Sequence, residues 1–161
     1  MHPNLRAVLD TISVTEGTST HRLTQNNGYD VIVTGMDKVP EVFTDYSDHP
    51  FAKGRPGKVF NKAGQRSTAS GRYQFLVKDW SHYRAQLGLK DFGPESQDKW
   101  AVQLIKERRA IADIVNGNIE SAIKKICNIW ASLPGAGYGQ HEFSMEKVVE
   151  IYKSFGGSVA G

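Results

Sequence analysis

Cysteine, long apolar runs and ligand-spaced histidines are scarce in this chain, and each scarcity removes a class of explanation. The single cysteine, Cys127, cannot close an internal disulfide, and its place between Ile126 and Ile129 is that of a buried thiol rather than a redox or metal motif. No apolar stretch approaches membrane-spanning length. Arg6 and Asp10 interrupt the first hydrophobic residues, so a secretory signal is not expected and synthesis in the cytoplasm is. His21, His49, His82 and His141 include no pair spaced four apart on a helix, and the glycines at 135, 137 and 139 lack the lysine of a phosphate loop. Neither a metal nor any other cofactor is expected. With no repeat and no linker, the 161 residues are expected to form one domain, 1–161, burying roughly 70% of the surface of the unfolded chain.

Acidic residues are missing from the whole stretch between Asp48 and Asp79, which holds Lys53, Arg55, Lys58, Lys62, Arg66, Arg72 and Lys78. The net charge of +3 is mild, but this uneven distribution suits an anionic polymer. Charge alone does not choose between nucleic acid, anionic lipid and cell wall. Nucleic acid is not expected, because the basic residues are not interleaved with aromatics and no helix carries a basic stripe.

What is present is mostly helical periodicity. Leu5, Leu9 and Ile12 mark a first helix from Asn4 to Thr15, with Asn4 as a possible cap. A second is expected after Gly71-Arg72, carrying Phe75, Leu76, Trp80, Tyr83 and Leu87 up to Gly88. Pro94 opens a third, with Trp100, Leu104, Ile105 and Ile111 on its apolar side. Asn118 precedes a fourth bearing Ile119, Ile123, Ile126 and Trp130, which Pro134-Gly135 would close. Ser144 starts the last, with Val148, Ile151, Tyr152 and Phe155 inward. Between the first two helices, Tyr29 to Val33 and Val42 to Tyr46 read as short strands, two or three in all. Residues 48–70 show no periodicity and are expected to be a long loop. The fold class is α+β: a mostly helical lobe with a small antiparallel sheet beside a cleft suited to an extended polymer.

Glu16 sits four residues beyond Ile12, on the same apolar face, and immediately before Gly17. A carboxyl withdrawn from water there would hold its proton more tightly, as a general acid near neutrality must. The position also suits a solvated glutamate at a helix end, so other segments must decide. Ser70-Gly71-Arg72-Tyr73-Gln74 puts a ring and an amide after a glycine, and Asn128 to Gln140 leads into a glycine-dense loop with Tyr138 and Gln140. Rings cover the apolar faces of sugars and amides satisfy their hydroxyl and N-acetyl groups. Asp30, Asp45 and Asp48 could each supply the second carboxylate of an ordinary glycosidase, although Asp45 and Asp48 also fit turn residues that bond their own backbone. Trp80, Trp100 and Trp130 lie on helical stripes and read as core.

These segments, together with Gly28 to Val33, Phe43 to Pro50 and Gln86 to Phe92, resemble the lambda-type endolysins of bacteriophages, a family of lytic transglycosylases. The likeness runs in order along nearly the whole chain, with divergence only in residues 51–67 and at the very end. It implies a lysozyme-like fold and non-hydrolytic cleavage of the β-1,4 bond between N-acetylmuramic acid and N-acetylglucosamine in peptidoglycan, leaving 1,6-anhydromuramic ends. It implies Glu16 as the sole catalytic carboxylate and Tyr73 and Gln74 as the residues that hold the muramic acid; Ser70, Tyr138 and Gln140 from the segments above, and Tyr46, which reads equally as core, complete the expected substrate-binding set. The loops 51–61 and 135–141 would be the lips of the cleft. The resemblance further implies a monomer that stays in the host cytoplasm until a pore-forming phage protein, a holin, opens the inner membrane to the periplasm. A hydrolytic muramidase using Asp30 or Asp45 and a non-catalytic wall-binding module are the readings to be weighed against it.

Overall fold

The structure, a computed structural model, describes residues 1–136 and 142–161. Its elements in chain order are α1 (Pro3–Thr15), β1 (Val31–Ile32), β2 (Glu41–Val42), β3 (Lys58–Val59), β4 (Arg66–Ser67), α2 (Trp80–Leu87), α3 (Pro94–Glu107), α4 (Ile111–Val115), α5 (Ile119–Ile126) and α6 (Met145–Ser154). They divide into two compact units, Met1–Glu16 with Ala101–Gly161, and Gly17–Trp100. Helix α3 carries the chain from the second into the first.

The first unit is helical. Leu5, Val8, Leu9 and Ile12 recur at three- and four-residue spacing on α1 and are all buried. Ile119, Ala122, Ile123 and Ile126 repeat the pattern on α5, and Val148 and Tyr152 on α6. Helix α1 packs on α6 and α4, and α5 packs on both of those. The cap of α1 is His2, whose Nδ1 accepts from Asn4 N at 3.0 Å, rather than Asn4 itself. Asn4 is spent elsewhere: its buried amide donates to Ile114 O at 3.0 Å and accepts from Ser158 N at 3.0 Å, tying α4 and the C-terminal tail to α1. Ser144 caps α6 as expected, accepting from Lys147 N at 3.1 Å. Two expectations need correction. Helix α5 ends at Ile126, so Trp130 is buried from a turn beyond it, and Phe155 is exposed because α6 stops one residue earlier.

The second unit is built on small antiparallel sheets and an aromatic core. Val31 pairs with Val42, and Lys58 with Ser67, in two separate two-stranded ladders. The second ladder lies inside the segment expected to be a featureless loop. Strands of two residues carry no measurable alternation, and this hairpin is fixed instead by its turn, where Asn61 Oδ1 accepts from Gln65 N at 3.0 Å and Gly64 takes φ +80°. The second helix also begins later than its apolar spacing suggests. Gly71 and Gln74 take φ of +84° and +55°, left-handed values that no α-helix propagates, so Ser70 and Phe75 close a tight turn and the helix starts at Trp80. Phe75 stacks on Trp100 with centroids 4.0 Å apart, while Phe92 meets Trp80 edge-on at 5.3 Å.

His49 is buried in that core, 4.9 Å from the Phe92 ring. Its Nε2–H donates to Phe75 O at 2.8 Å and its Nδ1 accepts from Phe51 N at 3.2 Å, an arrangement only the neutral ring can make. Burial accordingly holds its pKa below the ordinary 6.5, with the Phe75 carbonyl and Asp48 opposing. A depressed histidine contributes stability that is complete above its unfolded pKa and is lost as pH falls toward the folded one. His49→Gln keeps a donor for Phe75 O but does not titrate. The variant is expected to be less stable than the parent at neutral pH, with a deficit that shrinks below about pH 6.5 in thermal melts; a constant deficit would show that the ring does not titrate on unfolding.

Candidate functional site

Glu16 is the C-cap of α1, with φ −79°, ψ −8° and its backbone N–H bonded to Ile12 O. The helix ends there because Gly17 takes φ +74°, and the glutamate leaves along the line of the fully buried Ile12. Its half-buried side chain is desolvated, which raises the carboxyl from 4.5 to about 7, while a hydrogen bond from the Ser132 hydroxyl opposes part of that rise. The carboxyl therefore exchanges its proton near neutrality, as expected from its position on the apolar face. Ser132 and Thr15, whose oxygens lie 2.9 Å apart, are the neighbours that inspection of the sequence missed. A serine 116 residues away carries no mark of such a contact.

In the second unit, the turn at residues 70–75 rests on Gln97. This fully buried amide accepts from Arg72 N at 2.8 Å and donates to Phe92 O at 2.8 Å and Tyr29 O at 3.1 Å. A Cβ on Gly71 would stand 2.4 Å from Gln97 Oε1, which is why a glycine is needed there as well as for its φ. Arg72 is buried: its Nε donates to Asn27 O at 3.0 Å and its guanidinium lies 5.2 Å over the Tyr29 ring. Tyr29 and Tyr73 both donate to Asp98 Oδ1, at 2.8 and 2.6 Å.

This arrangement changes the roles expected of two residues. Tyr73 is 1% exposed with its hydroxyl held by Asp98, and Ser70 is 0% exposed with its hydroxyl donating to Thr68 O at 3.0 Å. Both are part of the scaffold of the turn in this structure and present no surface for a sugar. Gln74 is the partly open member of the turn; its Nε2 donates to Gly71 O at 3.0 Å. Tyr46 is half-open as well, packing on Phe43 with its hydroxyl accepting from Asn26 at 3.1 Å. Tyr138 and Gln140 lie outside the described residues.

The aspartates separate clearly. Asp30 is 3% exposed, and its two oxygens accept from Thr24 Oγ1 and Gln25 N, which folds the turn before β1. Asp45 is fully exposed in a turn, where Ser47 holds its carboxyl below the ordinary range. Asp48 accepts from His49 N and from the Trp80 indole at 2.7 Å. All three are engaged in local structure.

Because Glu16 titrates at about 7 folded and near 4.5 unfolded, the folded state keeps a proton that the unfolded chain has released. Stability therefore falls as pH rises between those values, by on the order of 3 kcal/mol in all. Glu16→Gln removes this burden. The variant is expected to melt above the parent at about pH 8 and level with it near pH 4, and equal behaviour at both would mean a solvated carboxyl.

Comparison with known proteins agrees with this architecture. The family model described as Endolysin matches residues 6–159. The endolysin of Escherichia phage P2 is 63% identical over 156 residues, covering 97% of this chain and 94% of the relative. The endolysin of Escherichia phage lambda is 50% identical over 155 residues, 96% and 92% of the two chains. Among solved structures, bacteriophage lambda lysozyme complexed with a chitohexasaccharide superposes with a TM-score of 0.88 at 47% identity, covering 99% of this chain and 98% of that one. Another structure of lysozyme from bacteriophage lambda gives 0.84 at 45% over the same shares. The α+β fold is thus lysozyme-like, and the chain belongs to the endolysin family.

Proposed function

We propose that the protein degrades peptidoglycan as a lytic transglycosylase, with Glu16 as its only catalytic carboxylate. The observation that carries the reading is the contrast among acids. Glu16 is placed to exchange a proton near neutrality, while Asp30 has both oxygens engaged and Asp45 stands in a solvated turn. Hydrolysis of a glycoside normally takes two carboxyl groups, one to protonate the leaving oxygen and one to attack or to activate water. A single glutamate suffices if the substrate brings its own nucleophile. Protonated Glu16 gives its proton to the glycosidic oxygen as the C1–O bond breaks. The resulting carboxylate then takes the proton from the C6 hydroxyl as that oxygen bonds to C1. No water is consumed, the glutamate ends protonated, and the muramic acid ends as a 1,6-anhydro sugar. An acid that titrates close to the working pH can serve in both steps.

The kinship with lambda lysozyme, which has been solved with a chitohexasaccharide, supports a glycan of β-1,4-linked sugars as the ligand. Gln74 and Tyr46 are the described candidates for contact with it. The protein acts as a monomer, remains in the host cytoplasm until a holin permeabilises the inner membrane, and then reaches the periplasmic wall.

Mass spectrometry of muropeptides released from purified sacculi tests this directly. Anhydromuramic ends, lighter by one water than reducing ends, are expected from the parent. Glu16→Gln is expected to lose at least about a hundredfold in rate while still sedimenting with sacculi. Reducing ends would replace the transglycosylase with a muramidase and return Asp30 or Asp45 to consideration; a variant of unchanged activity would remove Glu16.

A further inference from the structure

The end of α1 holds a short run of hydroxyls beside the glutamate. Thr15 is 7% exposed, and its Oγ1 donates to Ile12 O at 3.2 Å, the back-bond a threonine makes within a helix. Ser132 is 8% exposed, and its Oγ lies 2.9 Å from Thr15 Oγ1. With the threonine proton committed to Ile12 O, Ser132 donates and Thr15 accepts. The backbone fixes Ser132 in place: Leu133 N donates to Trp130 O and Phe143 N to Ser132 O, both at 2.9 Å, and Trp130 and Leu133 are buried. The same serine hydroxyl bonds the Glu16 carboxyl.

A serine hydroxyl has one proton and two acceptor positions. While Glu16 is protonated, Ser132 gives its proton to Thr15 and accepts from the carboxylic acid. Once Glu16 is a carboxylate, Ser132 turns its proton to the anion, the stronger charge-assisted bond, and Thr15 still donates to Ile12 O. Neither state leaves a buried donor without a partner. We propose, on the reading that Glu16 is the acid and then the base, that Ser132 is a positioning residue which holds the carboxyl in one place through both states by turning a single proton between Thr15 and Glu16.

Charged groups do not perform this service. On α1, Arg6 pairs with Asp10 at 3.2 Å; on α4, Asp113 pairs with Lys125 of α5; Glu142 accepts from Gly135 N; and α6 carries Glu146, Lys147, Glu150 and Lys153. None of these described groups moves the titration of Glu16, which burial raises and Ser132 opposes.

The test is the pH–rate profile for clearing of purified sacculi by Ser132→Ala, Thr15→Val and Ser132→Thr, with Glu16→Gln beside them. Ser132→Ala removes the donor to the carboxylate. Its kcat is expected to fall about tenfold with KM little changed, and its alkaline limb to move to higher pH. Thr15→Val leaves the serine proton no taker but the carboxylate, so the limb moves the opposite way, to lower pH. Ser132→Thr restores the hydroxyl and the parent profile. If Ser132→Ala and Thr15→Val both lose activity with an unmoved limb, the hydroxyls only support the fold and the proposal is overturned while Glu16 stands. If Glu16→Gln remains active, the assignment of Glu16 fails and that of Ser132 with it.

Discussion

Withdrawing polar groups from water is the constraint on which both units are built. A buried amide, carboxylate or guanidinium left without a partner costs several kcal/mol, so each one in this chain dictates what lies around it. Asn4 does this in the helical unit, where one amide holds the end of α4 and the C-terminal tail. In the other unit, Gln97 sets the turn at residues 70–75, Asp30 sets the turn before β1, and the Arg72 guanidinium is enclosed by the Asn27 carbonyl and two tyrosines that answer to Asp98. The ladders are only two residues long and could not hold the small unit in shape by themselves. These side-chain bonds, with the stacked Phe75 and Trp100, take over that work.

Against this background Glu16 is an exception. Among the described residues its neighbours remove water without supplying a positive charge, so the group is kept where its two forms are nearly balanced instead of being driven to one of them. That balance is unfavourable for the fold at neutral pH, and a chain selected for stability alone would replace the glutamate with an uncharged side chain. Retention of a destabilised acid at the end of a well-packed helix is the pattern expected where a proton must be handed over and recovered.

The helical half of the fold was legible because its signals are long. Thirteen residues of α1 and the isoleucines of α5 repeat their period often enough to declare a buried face, Pro94 and Gly88 mark boundaries by backbone chemistry, and Ser144 marks one by its capping hydroxyl. The small unit was less legible for the opposite reason. Strands of two residues have no period to read, and the late start of α2 depends on Gln74 adopting φ +55°, which its side chain does not announce. Glu16 could be singled out from its spacing to Ile12. Its partnership with Ser132, and the burial of Tyr73 behind Asp98, follow from contacts between residues far apart in the chain. Tyr73 illustrates the general difficulty: a tyrosine beside a glycine reads as a ligand platform, whereas a carboxylate 25 residues later makes it part of the core.

In the reaction proposed for Glu16, where it serves as acid and then as base, a neutral hydroxyl is also the right kind of neighbour. A lysine or arginine at Ser132 would hold the carboxylate ionised and leave no proton to give to the glycosidic oxygen. A second carboxylate would have the reverse effect, holding the proton so tightly that the acid would give it up less readily to the glycosidic oxygen. An apolar residue would leave desolvation unopposed. A hydroxyl stabilises the anion modestly and accepts equally well from the acid, so it narrows the gap between the two states without choosing between them. That requirement is set by a reaction in which one carboxyl begins and ends a turnover protonated, and it would not arise in an enzyme that divides acid and base between two residues.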